Sequence, residues 1–193
     1  MTGSPGRVTA PRGRLPGWRA AYNRASTRLY GPMRGLEGFS WIDGERVAIG
    51  SIPVGDAVER LPELGVTHVV NCRAPFQTRV SQDLWAEREV FGEDHVMSAP
   101  MWDNGRRQPP RLWAPAARFA AQALDEDPDA GVLIHCQQGR RRSAMVAYAV
   151  LRLRGHDPAE AARLVLESRA PARLVPAYRA SVEDWLASLD RPL

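Results

Sequence analysis

One short stretch constrains the fold of this 193-residue chain more than any other. An apolar run of β-forming residues ends in a cysteine, a loop with a central glycine follows, and an arginine and a serine then begin a helical pattern. Backbone N–H groups of such a loop converge on one point, at the positive end of the helix dipole. The sequence therefore predicts a phosphate-binding loop between a buried strand and a helix; it is Val132-Leu133-Ile134-His135-Cys136-Gln137-Gln138-Gly139-Arg140-Arg141-Arg142-Ser143.

The side chains of this stretch suggest covalent chemistry. A cysteine at a helix N-terminus beside cations has a lowered pKa, and its thiolate is a nucleophile in line with a bound phosphoryl group. We expect Cys136 to be that nucleophile, Arg142 to fork onto two phosphate oxygens, and Ser143 to donate to the sulfur as it leaves. His135 is expected to point away and to hold the loop backbone. The predicted phosphate-binding residues are Gln137, Gln138, Gly139, Arg140, Arg141 and Arg142.

Strand and helix patterns alternate along the chain, and everything after the loop is helical. This pattern predicts an α/β domain with a central mixed sheet of about five strands, flanking helices and an all-helical C-terminal part. Residues 73–92 are polar and are predicted to form a loop with one helix near 82–88. The predicted strands are 40–43, 46–49, 67–71, 95–97 and 131–136, and the other predicted helices are 56–64, 116–124, 143–154, one beginning at the N-cap Asp157, and 176–189.

The positive charge of the chain comes from arginine alone. The sequence has 26 arginines, no lysine and a net charge of +4. The missing lysine excludes a P-loop NTPase, a Schiff-base enzyme and a lysine general base. Two cysteines are too few for a disulfide framework or a four-thiolate metal site, and no apolar run approaches the length of a membrane span. We expect a cytoplasmic protein without a cofactor or metal.

The first 38 residues differ in composition from the rest. Residues 1–16 are rich in Gly, Pro and Arg and predict a disordered tail. Residues 17–30 place apolar side chains on one helical face, which predicts a short helix that either docks on the domain or makes peripheral membrane contact. We therefore divide the chain into a basic extension, 1–38, and a catalytic domain, 39–193.

The loop resembles the His-Cys-x5-Arg-Ser/Thr signature of cysteine-dependent tyrosine and dual-specificity phosphatases. The first hairpin and the helix-strand unit Gly65–Asn71 are also similar to that family, so the resemblance covers about residues 39–190. It implies a dual-specificity-phosphatase-like fold, a cysteinyl-phosphate intermediate and no metal. It also implies a general acid on a loop about thirty residues before the cysteine, where this chain has Asp103.

Two further features follow from the resemblance. Tensin-related phosphatases have a second cysteine in a place similar to Cys72, which would be a redox partner of Cys136; a buried thiol is the alternative. The segment Asn71–Arg79 and Tyr22-Asn23-Arg24 look similar to phosphatidylglycerophosphate phosphatases. Lipid phosphatases carry a base at the fourth loop position, here Arg140, and a lysine at the first, where this chain has Gln137.

These features leave three functions open. The first is a protein phosphatase acting on phosphotyrosine, with or without phosphoserine and phosphothreonine. The second is a phosphatase of phospholipids or phosphoinositides, and the third is a phosphate-binding module without turnover. An excess of arginine near the loop favours a polyanionic or acidic phosphorylated substrate; the residues are Arg106, Arg107, Arg140, Arg141 and Arg142, with Arg73 and Arg79 also expected near the mouth. Nucleic acid is not an expected partner.

Overall fold

The structure is a computed structural model that describes residues 38–53 and 57–189. Its centre is a five-stranded mixed sheet in the order β1-β2-β5-β3-β4, in which β1 is antiparallel to β2 and the other pairs are parallel. This confirms the predicted α/β class and the number of strands. The strands are β1 Phe39–Trp41, β2 Val47–Ser51, β3 His68–Asn71, β4 Val96–Ser98 and β5 Val132–Cys136.

The middle strand, β5, carries the cysteine to the carboxyl edge of the sheet. All five of its residues are buried, as expected for a parallel strand that is covered on both faces. Its register pairs Cys136 with Ser51 of β2, and His135 with Asn71 of β3. Parallel strands end at the same edge, so the segments after β2, β3 and β5 begin side by side there.

Seven helices surround the sheet within the described residues. They are α1 Ala57–Arg60, α2 Pro75–Ser81, α3 Asp83–Phe91, α4 Ala114–Glu126, α5 Arg142–Leu153, α6 Pro158–Ser168 and α7 Pro176–Leu189, with short 3₁₀ turns at Leu61–Leu64, Glu93–His95 and Pro110–Leu112. The part of the chain after β5 is helical, as predicted. Asp157 caps α6 by accepting from the backbone N–H groups of Ala159 and Glu160 at 2.8 and 2.9 Å.

The prediction for residues 73–92 was wrong in part, because two helices occupy most of a segment that was expected to be largely loop. Pro75 begins α2 at a position that needs no N–H donor. Gln82 adopts a left-handed conformation, φ 54°, which ends α2 and turns the chain into α3. The polar side chains that suggested a loop include a buried set, Ser81, Asp83 and Glu87, that faces the phosphate loop from behind.

Helix α5 lies at the centre of the larger hydrophobic core. Its residues Arg142–Leu151 are all buried, because α4, α6 and α7 pack around it and the sheet lies beneath it. The predicted extension, 1–38, lies outside the described residues except for Gly38, so its tail, its helix and its membrane contact stay predictions. In the part of the chain that the structure describes, none of the helices has the length and apolar character that crossing a membrane requires.

Candidate active site

The loop after β5 is packed against the end of β2. Gly139 has φ +65°, a left-handed conformation that favours glycine. A Cβ atom at this position would lie 2.6 Å from the backbone carbon of Gly50 and 2.7 Å from its oxygen. Residue 138 also forms a bridge with Ser51. The glycine is therefore required both by the backbone conformation and by the close approach of the two segments.

The segment between α6 and α7 holds the loop from the opposite direction. The carbonyl of Arg140 accepts from the backbone N–H of Arg173 at 2.7 Å, and the carbonyl of Gly139 accepts from Nε of Arg169 at 3.3 Å. With these carbonyls engaged outside the loop, backbone N–H groups are free to turn inward. Those of Arg140 and Ser143 donate to the sulfur of Cys136.

Cys136 lies at the bottom of the loop, with 2% of its surface exposed. Burial alone raises the pKa of its thiol. The guanidinium of Arg142, the hydroxyl of Ser143 at 3.4 Å and the two backbone N–H groups outweigh burial and lower the pKa to about 7. A thiol with this pKa is substantially thiolate at neutral pH, so it can act as a nucleophile.

Arg142 joins three segments around the loop. Its Nη1 donates to the carbonyl of Cys72 at 3.2 Å, to Oε1 of Gln77 at 2.9 Å and to the carbonyl of Met101 at 3.0 Å. Its Nε is buried and has no hydrogen-bond partner. A buried guanidinium N–H without a partner is a donor that an incoming oxyanion would satisfy.

Asp103 lies on the loop that follows β4, and the side chain of Arg141 connects it to the phosphate loop. Its Oδ1 accepts from the hydroxyl of Tyr178 at 3.0 Å and lies 3.2 Å from Nη1 of Arg141. The carboxylate side chain is 34% exposed, so a substrate can reach it from solvent. The predicted acid is thus next to the loop that holds Cys136, although 33 residues separate the two in the sequence.

Known proteins resemble the chain in sequence and in fold. No protein-family model matches the chain. A phosphatidylglycerophosphate phosphatase, PTPMT1, of Arabidopsis thaliana is 27% identical over 154 residues, which cover 75% of this chain and 42% of that protein. The chain therefore spans less than half the length of this curated relative. Human DUSP28 superposes with a TM-score of 0.61 at 21% identity over 80% of this chain and 96% of its own.

The chain has the dual-specificity phosphatase fold. A PTPMT1 crystallised in complex with PI(5)P shares this fold with a TM-score of 0.65 at 18% identity, over 79% of this chain and 97% of its own. The resemblance to dual-specificity phosphatases inferred from the sequence is confirmed, and so is the similarity to phosphatidylglycerophosphate phosphatases.

Within this dual-specificity phosphatase fold, the side chain at the first loop position is turned inward. Oε1 of Gln137 accepts from Nε and Nη2 of Arg73 at 3.1 and 2.8 Å. The oxygen of this side chain is therefore held by Arg73. Nη1 of Arg73 pairs with Asp83 Oδ1 at 2.6 Å and with Ser81. Arg73 was expected near the mouth of the site; it is 2% exposed and supports the loop from behind.

A second buried ionic pair lies beside this one. Nε2 of His135 is 2.8 Å from Oε1 of Glu87, and both side chains are fully buried. Burial lowers the pKa of His135, but Glu87 outweighs it and the net pKa is raised; burial raises the pKa of Glu87. The ring nitrogens make no hydrogen bond to the loop backbone. His135 was expected to hold that backbone; it instead anchors β5 to α3.

The same carboxylates form a cluster whose geometry could suit a metal ion. Ligand atoms of Asp83, Glu87 and His135 all lie within 4.8 Å of one another. The oxygens already accept from other groups, since Nδ2 of Asn71 donates to Asp83 at 2.7 Å and to Glu87 at 3.0 Å. The guanidinium of Arg73 also neutralises Asp83 and holds its pKa below the usual value against the effect of burial. We therefore infer that the cluster supports the phosphate loop.

The remaining arginines take different positions around the site. Arg140 and Arg106 have exposed side chains, as does Arg79 on α2. Arg107 pairs with Asp184 of α7. Arg141 was expected to bind phosphate, but its guanidinium contacts Asp103 and lies 5.8 Å from the centre of the Tyr178 ring.

Cys72 directly follows β3 and lies beside His135, the residue that precedes the nucleophile. Its backbone N–H donates to the carbonyl of His135 at 2.8 Å. Burial first, and the neighbouring Cys136 second, raise the pKa of its thiol well above the ordinary value, so this thiol stays protonated. Both cysteines are free thiols.

Several residues of the site carried no signal in the sequence. Glu87 and Tyr178 lie 49 and 42 residues from Cys136, on helices whose patterns did not point to the loop. Asn71, Arg73 and Gln77 fall within the segment similar to phosphatidylglycerophosphate phosphatases, and for Asn71 and Gln77 that similarity was the one available indication. None of the five belongs to a local motif of nucleophile, arginine and acid.

Proposed function

We propose that the chain is a metal-independent phosphomonoester hydrolase that works through a cysteinyl-phosphate intermediate. The observation that carries the proposal is the thiol of Cys136, with a pKa of about 7, below a loop whose amides and arginine face it. Thiolate, anion cradle and a reachable carboxylic acid are the three parts that phosphoryl transfer to cysteine requires.

The reaction has two steps. In the first, the sulfur of Cys136 attacks phosphorus, the phosphorus–oxygen bond to the leaving group breaks, and Asp103 gives its proton to that oxygen. In the second, water attacks phosphorus, its proton goes to Asp103, and the sulfur leaves as a thiolate. Ser143, 3.4 Å from the sulfur, stabilises the departing thiolate.

The loop and Arg142 stabilise the charge that is transferred. Amides between positions 137 and 142 donate to the equatorial oxygens, and the unpartnered Nε of Arg142 adds a charged donor. Because Arg142 also holds the carbonyl of Met101 at 3.0 Å, phosphate binding and the position of the Asp103 loop are connected.

The finer proposal is a dual-specificity or tyrosine protein phosphatase. The fold shared with human DUSP28 supports it, as do exposed arginines around the loop, which suit acidic phosphopeptides. The substrate would then be a phosphorylated protein, with the exposed Arg106 and Arg140 contacting acidic residues near the phosphate.

A phospholipid phosphatase is the second candidate, and two observations favour it. A curated relative, PTPMT1 of Arabidopsis thaliana, is a phosphatidylglycerophosphate phosphatase. In addition, two aromatic side chains are largely exposed, Phe76 by 66% and Trp102 by 57%. Phe76 directly precedes Gln77 and Trp102 directly follows Met101, and both of these neighbours contact Arg142. Two exposed aromatic rings beside a phosphate site suit a lipid interface.

Hydrolysis of para-nitrophenyl phosphate in EDTA tests the enzyme proposal. We expect turnover that Cys136→Ser abolishes, whereas a phosphate-binding module would bind phosphate without turnover. The next measurement compares kcat/KM for phosphopeptides, phosphoinositides and phosphatidylglycerophosphate. A kcat/KM higher for lipid than for peptide, and reduced by Phe76→Ser, would favour the second candidate over the first.

A further inference from the structure

The acid loop is fastened to the last helix by one buried tyrosine. Tyr178, at the start of α7, has a fully buried side chain. Its hydroxyl accepts from the backbone N–H of Gly105 at 3.2 Å and donates to Oδ1 of Asp103 at 3.0 Å. The same hydroxyl also lies 3.4 Å from the carbonyl oxygen of Trp102, so one oxygen contacts the loop at three points: on the acid itself, one residue before it and two residues after it.

These contacts distinguish the two carboxylate oxygens of Asp103. Oδ1 accepts from the hydroxyl of Tyr178 and is the oxygen that pairs with Nη1 of Arg141 at 3.2 Å. Both neighbours are donors, so they favour the arrangement in which Oδ1 is the acceptor and any proton of the acid is on Oδ2. Burial raises the pKa of Tyr178, and Asp103 adds to this rise while the N–H of Gly105 opposes it, so the hydroxyl keeps its proton at neutral pH.

We propose that Tyr178 is the positioning residue of the general acid: by holding Oδ1, it presents Oδ2 of Asp103 as the oxygen that gives and takes the proton. This inference rests on the proposed function. Tyr178 transfers no proton itself, because its hydrogen bond to Oδ1 persists while the proton on Oδ2 passes to the oxygen of the leaving group. Arg141 holds the same Oδ1 from the phosphate loop, which keeps the acid near the site of attack.

Tyr178→Phe removes the hydroxyl and keeps the ring. The test compares kcat/KM for phenyl phosphate, whose basic phenoxide needs a proton, with kcat/KM for para-nitrophenyl phosphate, whose leaving group needs little help. We expect kcat/KM to fall about tenfold for phenyl phosphate and to stay within about twofold for para-nitrophenyl phosphate.

Tyr148→Phe is the matched control. Tyr148 is a buried tyrosine of α5 whose hydroxyl also donates to a carboxylate, Glu183, away from the acid loop. This variant loses the same type of hydrogen bond, and we expect it to change kcat/KM for the two esters by equal factors. Thermal unfolding of both variants compares their stabilities. Should Tyr178→Phe not fold, Arg141→Gln tests the same oxygen of Asp103 and should give the same dependence on leaving group.

A double variant separates positioning from a structural role. On an Asp103→Asn background, Tyr178→Phe should cause no further loss on phenyl phosphate, since the group that it positions is gone. An equal loss on both esters, or a full further loss on the Asn background, would overturn the inference and leave the phosphatase proposal intact. Absence of turnover by the unaltered chain would instead overturn the proposed function.

Discussion

The sulfur of Cys136 lies 3.4 Å from the hydroxyl oxygen of Ser143, so the nucleophile directly before the phosphate loop faces the residue that follows Arg142. The guanidinium of Arg142, this contact and the backbone N–H groups of Ser143 and Arg140 oppose the effect of burial and together bring the pKa of the thiol to about 7. The loop therefore stabilises the thiolate of Cys136 in addition to offering donors to a phosphate.

Alkylation of Cys136 should follow this pKa. The folded-state pKa is lowered, so the thiolate is present above about 7 and is lost as the pH falls through that value. We expect the rate of iodoacetamide labelling to rise with a midpoint of about 7, and Ser143→Ala to move the midpoint upward. Cys136→Ser should leave the native protein unlabelled, because Cys72 is buried and protonated. A midpoint at the ordinary thiol value of about 8.5 would contradict the description of the site.

Gly139→Ala should disrupt the loop. The new Cβ would combine a left-handed φ with a 2.6 Å approach to Gly50, so we expect a loss of more than about 2 kcal/mol in the free energy of unfolding and loss of turnover. Gly155→Ala is the control, because Gly155 also has a positive φ, 95°, but has open space around it. Its cost should be about 1 kcal/mol, with turnover kept. Equal losses measured by chemical denaturation would show that the close contact with β2 is unimportant.

Arg73→Met should be strongly destabilising. It would leave the Asp83 carboxylate buried without its cation and Gln137 without its two donors, at a cost of about 3 kcal/mol. Arg107→Met breaks an exposed pair with Asp184 and should cost less than about 1 kcal/mol. Urea unfolding compares the two, and a similar small change in both would mean that the network behind the loop contributes little.

Cys72 gives a redox prediction. Its backbone is bonded to the carbonyl of His135, next to Cys136, so we propose that the two thiols form a disulfide on oxidation. Peroxide should inactivate the protein, and dithiothreitol should restore activity. In Cys72→Ser the sulfenic acid of Cys136 has no thiol to trap it, so recovery should be lost through further oxidation. Recovery of that variant as complete as that of the unaltered chain would refute the pairing.

The fold and the centre of the site followed from local patterns. The run ending in Cys136 predicted a buried strand, a loop and a helix, because a β-branched apolar run, a glycine and a helical periodicity are all short-range signals. Asp103 came from the family resemblance, and the structure brings its side chain to Arg141 of the loop.

What the sequence did not reveal are the long-range contacts between polar residues. Arg73 looked like a surface cation, yet its contacts with Asp83 and Gln137 make its burial possible. Neither composition nor periodicity could have paired Arg73 with these two partners. Tyr178 had no predicted role, since nothing in its sequence neighbourhood indicates that its hydroxyl meets Asp103. Tertiary partners decide both roles.

The phosphoenzyme itself tests the central claim most directly. The chain is mixed with para-nitrophenyl phosphate in EDTA, quenched within the first turnovers, digested and analysed by mass spectrometry. We predict one phosphoryl group on Cys136, formed at least as fast as steady-state turnover and missing in Cys136→Ser. Turnover with no phosphoryl group on Cys136, or turnover that survives Cys136→Ser, would contradict the proposed mechanism.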